Sequence, residues 1–158
     1  MSDNSLSKEM HKKIAVDTFN EIWPLLEKKN PDEKDKELLI DMGHTSLYHW
    51  RCCGKDINLQ RGQWMVSHIY SVLDMGESAL YHAQKCFELT EKNNFLDFDM
   101  AYAYEAMARA AACSGKKIVY EKYIAASHDA ALKIKKTEDK ELFLSDLEAG
   151  PWYDERMK

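Results

Sequence analysis

Two stretches of the chain follow one plan, an amphipathic run, a glycine and a second amphipathic run: HIYSVLDMGESALYHAQKCFEL at 68–89 and MARAAACSGKKIVYEKYIAAS at 107–127. A run that repeats its apolar side chains every three or four residues hides them by coiling into a helix and packing that stripe on a neighbour. A turn as short as these makes the two helices antiparallel neighbours. The pattern therefore constrains the chain to stack helical hairpins.

The remaining punctuation extends this reading along the sequence. Ser7 is placed to cap a first helix carrying Met10, Ile14, Ile22 and Leu26, with Phe19 and Trp23 widening its apolar stripe and Pro24 bending or breaking it. NPDE at 30–33 supplies an Asn30 cap, Pro31 as the first helical residue and acids at the positive end of the helix dipole, for a second helix running to about Cys53. Gly54 suits the left-handed residue after that helix, Asp56 and Asn58 compete as caps of a third ending near Met75, and Gly76 closes it. Ala79, Leu80, Ala83, Cys86 and Phe87 mark a fourth. Asp97 caps a fifth that reaches Gly115, and Tyr120, Tyr123, Ile124, Ser127, Ala131 and Ile134 form the face of a sixth. Thr137 caps a short seventh with Leu142, Phe143 and Leu147, halted by AGP at 149–151.

With 158 residues, 45% hydrophobic and 31% charged, only three Pro and six Gly, the chain is expected to be all-α. It is expected to form one domain over 7–149, between a flexible terminus at 1–6 and a tail at 150–158. No apolar run is long enough to cross a bilayer and the first residues lack the apolar centre of a secretory signal, so a cytoplasmic protein is expected. Cys52, Cys53, Cys86 and Cys113 lack the C-x-x-C spacing of zinc ribbons and dithiol sites, and read as reduced structural thiols. A net charge of −5, with the Lys pairs at 116–117 and 135–136 mixed among acids, argues against nucleic acid as a partner.

Over roughly 58–134 the hairpin pattern resembles the tetratricopeptide repeat. Tyr104, Met107, Ala108, Ala111 and Gly115 match that pattern's first-helix positions. Met65, His68, Ile69, Val72 and Gly76 match them in the preceding unit, followed by Ala79, Leu80 and Cys86. Ile69 stands where the family has a small residue, and the two glycines are 39 positions apart rather than the customary 34 or so. The segment DFDMAYAYEAMARA is similar to one in bacterial helical proteins of this length, a likeness that carries no activity with it. The resemblance implies a right-handed array of antiparallel helix pairs, about seven helices in all, whose first helices line a concave groove for a peptide or protein partner, with no catalysis and no cofactor.

In that frame Asp99, Tyr102, Glu105 and Arg109 project into the groove from the fifth helix. Gln63, Val66 and Tyr70 hold the corresponding positions on the third, with Arg61 and Trp64 near the mouth. Taken alone, Glu105 and Arg109 read more simply as an exposed i,i+4 ion pair. A rival reading is a small-ligand- or metal-binding helical protein, an enzyme among its forms, with an inter-helix pocket of His, Trp and Glu. Its metal version would use Asp41, His44, His49, His68 and His82. Isolated histidines are the preferred account of these, since the chain has no Glu-x-x-His motif. Trp50 and Trp64 with Tyr48, Tyr70 and Tyr81 form a candidate aromatic pocket, more simply read as core. Phosphate loops, G-x-S-x-G elbows and H-E-x-x-H helices are absent, which weakens the enzyme case. A structural homo-oligomer pairing through an apolar helix face is the third reading.

Overall fold

Local chemistry sets where each helix starts and stops in the computed structural model, which describes residues 5–158. Four of the six residues expected to form a flexible terminus lie outside that range. Seven helices follow: α1 Lys8–Leu26, α2 Glu33–Cys53, α3 Asp56–Val72, α4 Gly76–Lys92, α5 Phe98–Cys113, α6 Lys117–Leu132 and α7 Thr137–Glu148. A short 3-10 turn, Asp154–Met157, ends the chain, and the described residues include no strand.

Ser7 caps α1 as expected, its hydroxyl accepting the Met10 amide at 3.2 Å. Pro24 sits in the last turn, where its missing N–H removes a single helical bond, and α1 runs on to Leu26 before stopping. The start of α2 differs from the reading of NPDE. Asp32 is the cap, and Asp32 and Asp35 each accept the other's backbone N–H at 2.9 Å. This reciprocal box satisfies two otherwise orphaned donors, which Asn30 and Pro31 could not do together.

Gly54 is not left-handed. Its φ of −90° and ψ of −177° are extended, and a Cβ there would meet the Trp50 carbonyl oxygen at 2.8 Å and the Trp50 ring at 2.9 Å. Glycine is required for close approach, not for handedness. Asp56 is the first residue of α3, and Asn58 accepts the Lys55 amide at 2.9 Å. The third helix stops at Val72, Asp74 takes the left-handed turn with φ 60°, and Gly76 opens α4 instead of closing α3. Asp97 precedes α5 with φ 58° and makes no side-chain cap; its carboxylate accepts the Lys135 amide at 3.4 Å. Lys136, not Thr137, is the cap position of α7.

Packing is densest within α1–α2, α3–α4 and α5–α6, three successive hairpins. The hairpins join through α2 on α3, α4 on α5 and α3 on α5, while α7 covers α5 and α6. From Ala101 to Cys113 every α5 residue except Tyr104 is buried, seven of them alanines. Methyl-sized side chains let neighbouring backbones approach closely, and the larger volume comes from Ile22, Leu39, Met65, Ile69 and Phe143, all almost wholly buried. Each such side chain contributes roughly 1.5–3 kcal/mol. Two consequences matter for function: α1, α3, α5 and α7 border one hollow, and α2 and α4 flank a separate cleft over α3. Among the described residues no helix is long and apolar enough to cross a membrane.

Candidate binding hollow on the odd-numbered helices

The hollow encloses about 220 Å³. Phe19 and Trp23 of α1, Trp64 of α3, Phe98 and Tyr102 of α5 and Leu142 of α7 wall it. The rings support one another: Trp64 lies 6.0 Å from Trp23 and 5.3 Å edge-on to Tyr102, and Tyr102 packs at 4.6 Å on Phe98 and 4.9 Å on Phe143. Two of these contacts are edge-to-face and two are tilted, and together they fix the wall's shape beyond what apolar burial alone would do. At the rim, Arg61 donates through Nε to Asp99 Oδ1 at 3.0 Å and through a terminal nitrogen to Oδ2 at 3.4 Å. The Gln60 amide, also lining the hollow, donates to Thr90 Oγ1 and to the Asp99 carbonyl, both at 3.0 Å.

Glu105 and Arg109 lie deeper than expected. Each is only 1% exposed, so neither the exposed pair nor the groove-surface pair describes them. Glu105 accepts from Trp64 Nε1 at 2.8 Å and from Arg109 Nε at 2.5 Å. The remaining guanidinium nitrogens donate to the carbonyls of Asp146 and Ala149, both at 2.9 Å, and Pro151 at 3.4 Å, while the Trp152 ring covers the guanidinium at 4.1 Å. A buried charge is tolerated when its pairing and hydrogen bonding are this complete. The chain's own C-terminal segment thus occupies the position where Arg109 was expected to meet a partner. Tyr153 donates to the Ser71 carbonyl at 2.5 Å, and Arg156 reaches both Asp74 oxygens, at 2.6 and 2.8 Å, and the Cys113 carbonyl at 2.6 Å.

Tyr102 is buried at 7% exposure and donates its hydroxyl to Asp146 Oδ2 at 2.5 Å. Burial, reinforced by that carboxylate, pushes the phenol upward, and burial also raises Asp146. His68 stacks on Trp64 at 4.9 Å with its rings 12° from parallel, and its Nδ1 is buried without a hydrogen-bond partner. Burial holds its pKa down at about 4.

Of the residues read as groove-lining, Arg61, Trp64, Asp99 and Tyr102 line the hollow and Glu105 and Arg109 underlie it. Tyr70 is elsewhere, its hydroxyl 2.8 Å from His44 Nε2, and Gln63 bonds His82 Nδ1 at 2.7 Å. Val66 packs beneath Gly43 of α2. The five candidate metal ligands are dispersed. His44 and His82 are neighbours at 5.4 Å, His49 pairs with His11, His68 lies beside Trp64, and Asp41 opens onto a surface dip with Thr18 and Glu21. No group of three His, Cys, Asp or Glu among the described residues is arranged to hold a metal ion. The candidate aromatic pocket of Trp50 with Trp64 does not form, since Trp64 faces Trp23 and Tyr102. Phe19, Trp23, Phe98, Leu142 and Gln60 were missed as lining residues. The available signal was the stripe of α1, too wide for contact with one partner helix alone.

No protein-family model, curated protein or solved structure matches the chain.

Proposed function

We propose that this protein is a tetratricopeptide-like interaction module, without catalysis, that binds a peptide or protein partner by burying one aromatic or branched aliphatic side chain in the hollow. The observation that carries this reading is the aromatic-walled cavity of about 220 Å³ with an ion pair at its mouth. An anchor of that size contributes on the order of 1.5–3 kcal/mol on burial, the magnitude found where a few desolvated contacts dominate an interface. Arg61, more than half exposed along its side chain, is free to turn part of its guanidinium toward a partner carbonyl or carboxylate. Three successive hairpins support the repeat-like reading. The polar wall groups Gln60 and Tyr102 are engaged with Thr90 and Asp146 behind the wall, which favours recognition by burial over acid–base chemistry.

The test selects binders from a displayed library of random peptides on the full-length protein and titrates them by Trp fluorescence, with Leu142→Arg as the comparison. Leu142 is 53% exposed, so the substitution leaves folding intact while placing a charge at the hollow's mouth. Selected peptides should share an apolar anchor and bind the variant at least about tenfold more weakly, equivalent to 1.4 kcal/mol. Equal binding to both proteins rejects the hollow as the site.

A further inference from the structure

A second cavity, of about 350 Å³, lies in the cleft between α2 and α4. His44, Tyr48 and Arg51 line it from α2, Gln63 from α3, and Tyr81, His82 and Lys85 from α4. The spacing 44, 48, 51 places the α2 group on one helical face, as 81, 82, 85 does for the α4 group. The lining contains two fixed cations, two imidazoles and two phenols, and no carboxylate. In a chain of net charge −5 this concentration of positive character is not the background composition. Arg51 has no acidic partner among the described residues. Lys85 has Glu88 at 3.5 Å, with both side chains about half exposed, so solvent screens that pair and leaves the ammonium available.

The histidines are each held by one ring nitrogen, leaving the other uncommitted. His82 Nδ1 is 2.7 Å from the Gln63 carboxamide oxygen, so Nδ1 carries a hydrogen and Nε2 is unused. His44 uses Nε2 toward Tyr70 at 2.8 Å. Their rings are 5.4 Å apart, and Tyr70 stacks on His82 at 5.7 Å. This pair contributed to the metal reading of the sequence, but a metal cation there would face Arg51 and Lys85 without a carboxylate to neutralise it. The same groups suit the opposite charge.

We propose that the α2–α4 cleft binds a phosphate group, with Arg51 and Lys85 contacting its oxygens from the two walls, His44 donating a hydrogen bond between them and His82 adding one from Nε2 once its ring is protonated. The groups facing His82 are His44, Tyr48 and Arg51 from α2, Tyr70 and Gln63 from α3, and Tyr81 and Lys85 from its own helix. Burial first, then His44 and Arg51, hold His82 down at about 4. An anion between the walls reverses the charge of those surroundings and raises it, so binding takes up protons at pH values between the free and the raised pKa and tightens as the pH falls through that range.

The test titrates inorganic phosphate, and separately a phosphoserine peptide, into the full-length protein at constant ionic strength, following histidine ring resonances and binding heat. Arg51→Gln and the double variant Arg51→Gln/Lys85→Gln serve as comparisons, both changing residues at the cleft's surface. Saturable binding is expected, with the His82 resonances displaced and their pKa raised by about a unit or more. Affinity should fall about tenfold in the single variant and beyond detection in the double. A free anion as ligand requires inorganic phosphate to bind at least as well as the peptide, and a phosphorylated partner requires the peptide to bind more tightly. Non-saturable shifts, shifts confined to His11 and His49, or unchanged affinity in the double variant would overturn the site.

Discussion

Arg109 shows how one spacing in a sequence can describe two opposite environments. Its position four residues after Glu105 was readable, yet that spacing fits an exposed pair as well as a buried one. The surrounding alanines held the better signal, because a helix offering water only methyl groups has no solvated face to which a charged pair can belong. Arg109→Met leaves Glu105 buried without its counter-charge and should cost about 3–5 kcal/mol. Urea unfolding decides this, and a loss under about 1 kcal/mol would contradict the burial; adding Glu105→Leu should recover part of the loss. His68 gives a second prediction at this scale. Its folded pKa of about 4 lies below the ordinary 6.5, so its contribution to stability is present above about pH 6.5 and is lost as pH falls toward 4. The shift corresponds to roughly 3 kcal/mol at most. His49 and His82 are lowered too and act in the same direction, whereas Asp146, raised by burial, loses its contribution as pH rises through its folded value. His68→Phe retains an aromatic ring on Trp64 and should flatten, without abolishing, the decline in unfolding free energy between pH 6.5 and 4; an unchanged slope would assign it elsewhere.

At the scale of elements, the number of helices and most of their spans were legible because apolar periodicity is local. Their junctions were not. A glycine announces either a left-handed backbone or a missing Cβ, and nothing local says which. Here Asp74, Asn94 and Asp97 take positive φ, while Gly76 serves close approach. A Cβ on Gly76 would lie 2.9 Å from Ser114 Cα and 3.0 Å from its backbone nitrogen, locking the α3–α4 turn against the end of α5. Gly43 and Gly62 differ, since their nearest neighbours are the tips of Ile69 at 2.8 Å and Leu47 at 2.9 Å, which rotate more cheaply than a backbone moves. Gly76→Ala should therefore cost about 1–3 kcal/mol. Gly43→Ala and Gly62→Ala should cost less, because the roughly 1 kcal/mol gain in helix propensity offsets the crowding. Thermal unfolding of the three variants tests the order, and a Gly76→Ala protein as stable as the parent would remove the backbone contact from the account.

Across the whole molecule, the feature least legible in advance is the return of the C-terminal segment. Tyr153 to Ser71 and Arg156 to Asp74 each span 82 residues, and no local pattern encodes a contact so distant. The segment divides the face of α3 and α5. Its contacts fall on Ser71, Asp74, Arg109 and Cys113, toward the ends of those helices, whereas the hollow uses Gln60, Arg61, Trp64, Phe98, Asp99 and Tyr102 near their starts. Deleting residues 150–158 should uncover Arg109 by removing the Trp152 ring and the Pro151 carbonyl, while Glu105 continues to hold it. Apolar exposure and the loss of the hydrogen bonds made by Pro151, Tyr153 and Arg156 together should destabilise the protein by on the order of 2–4 kcal/mol. Amide exchange should accelerate in the second halves of α3 and α5 before their first halves, because local opening follows lost packing. If the hollow and the docked segment are independent, a peptide selected on the intact protein binds the shortened one with unchanged affinity once both are folded. A marked gain in affinity on truncation would instead mean that segment and partner compete for one continuous surface, and the hollow would then be only the open part of a groove that the chain closes with its own end.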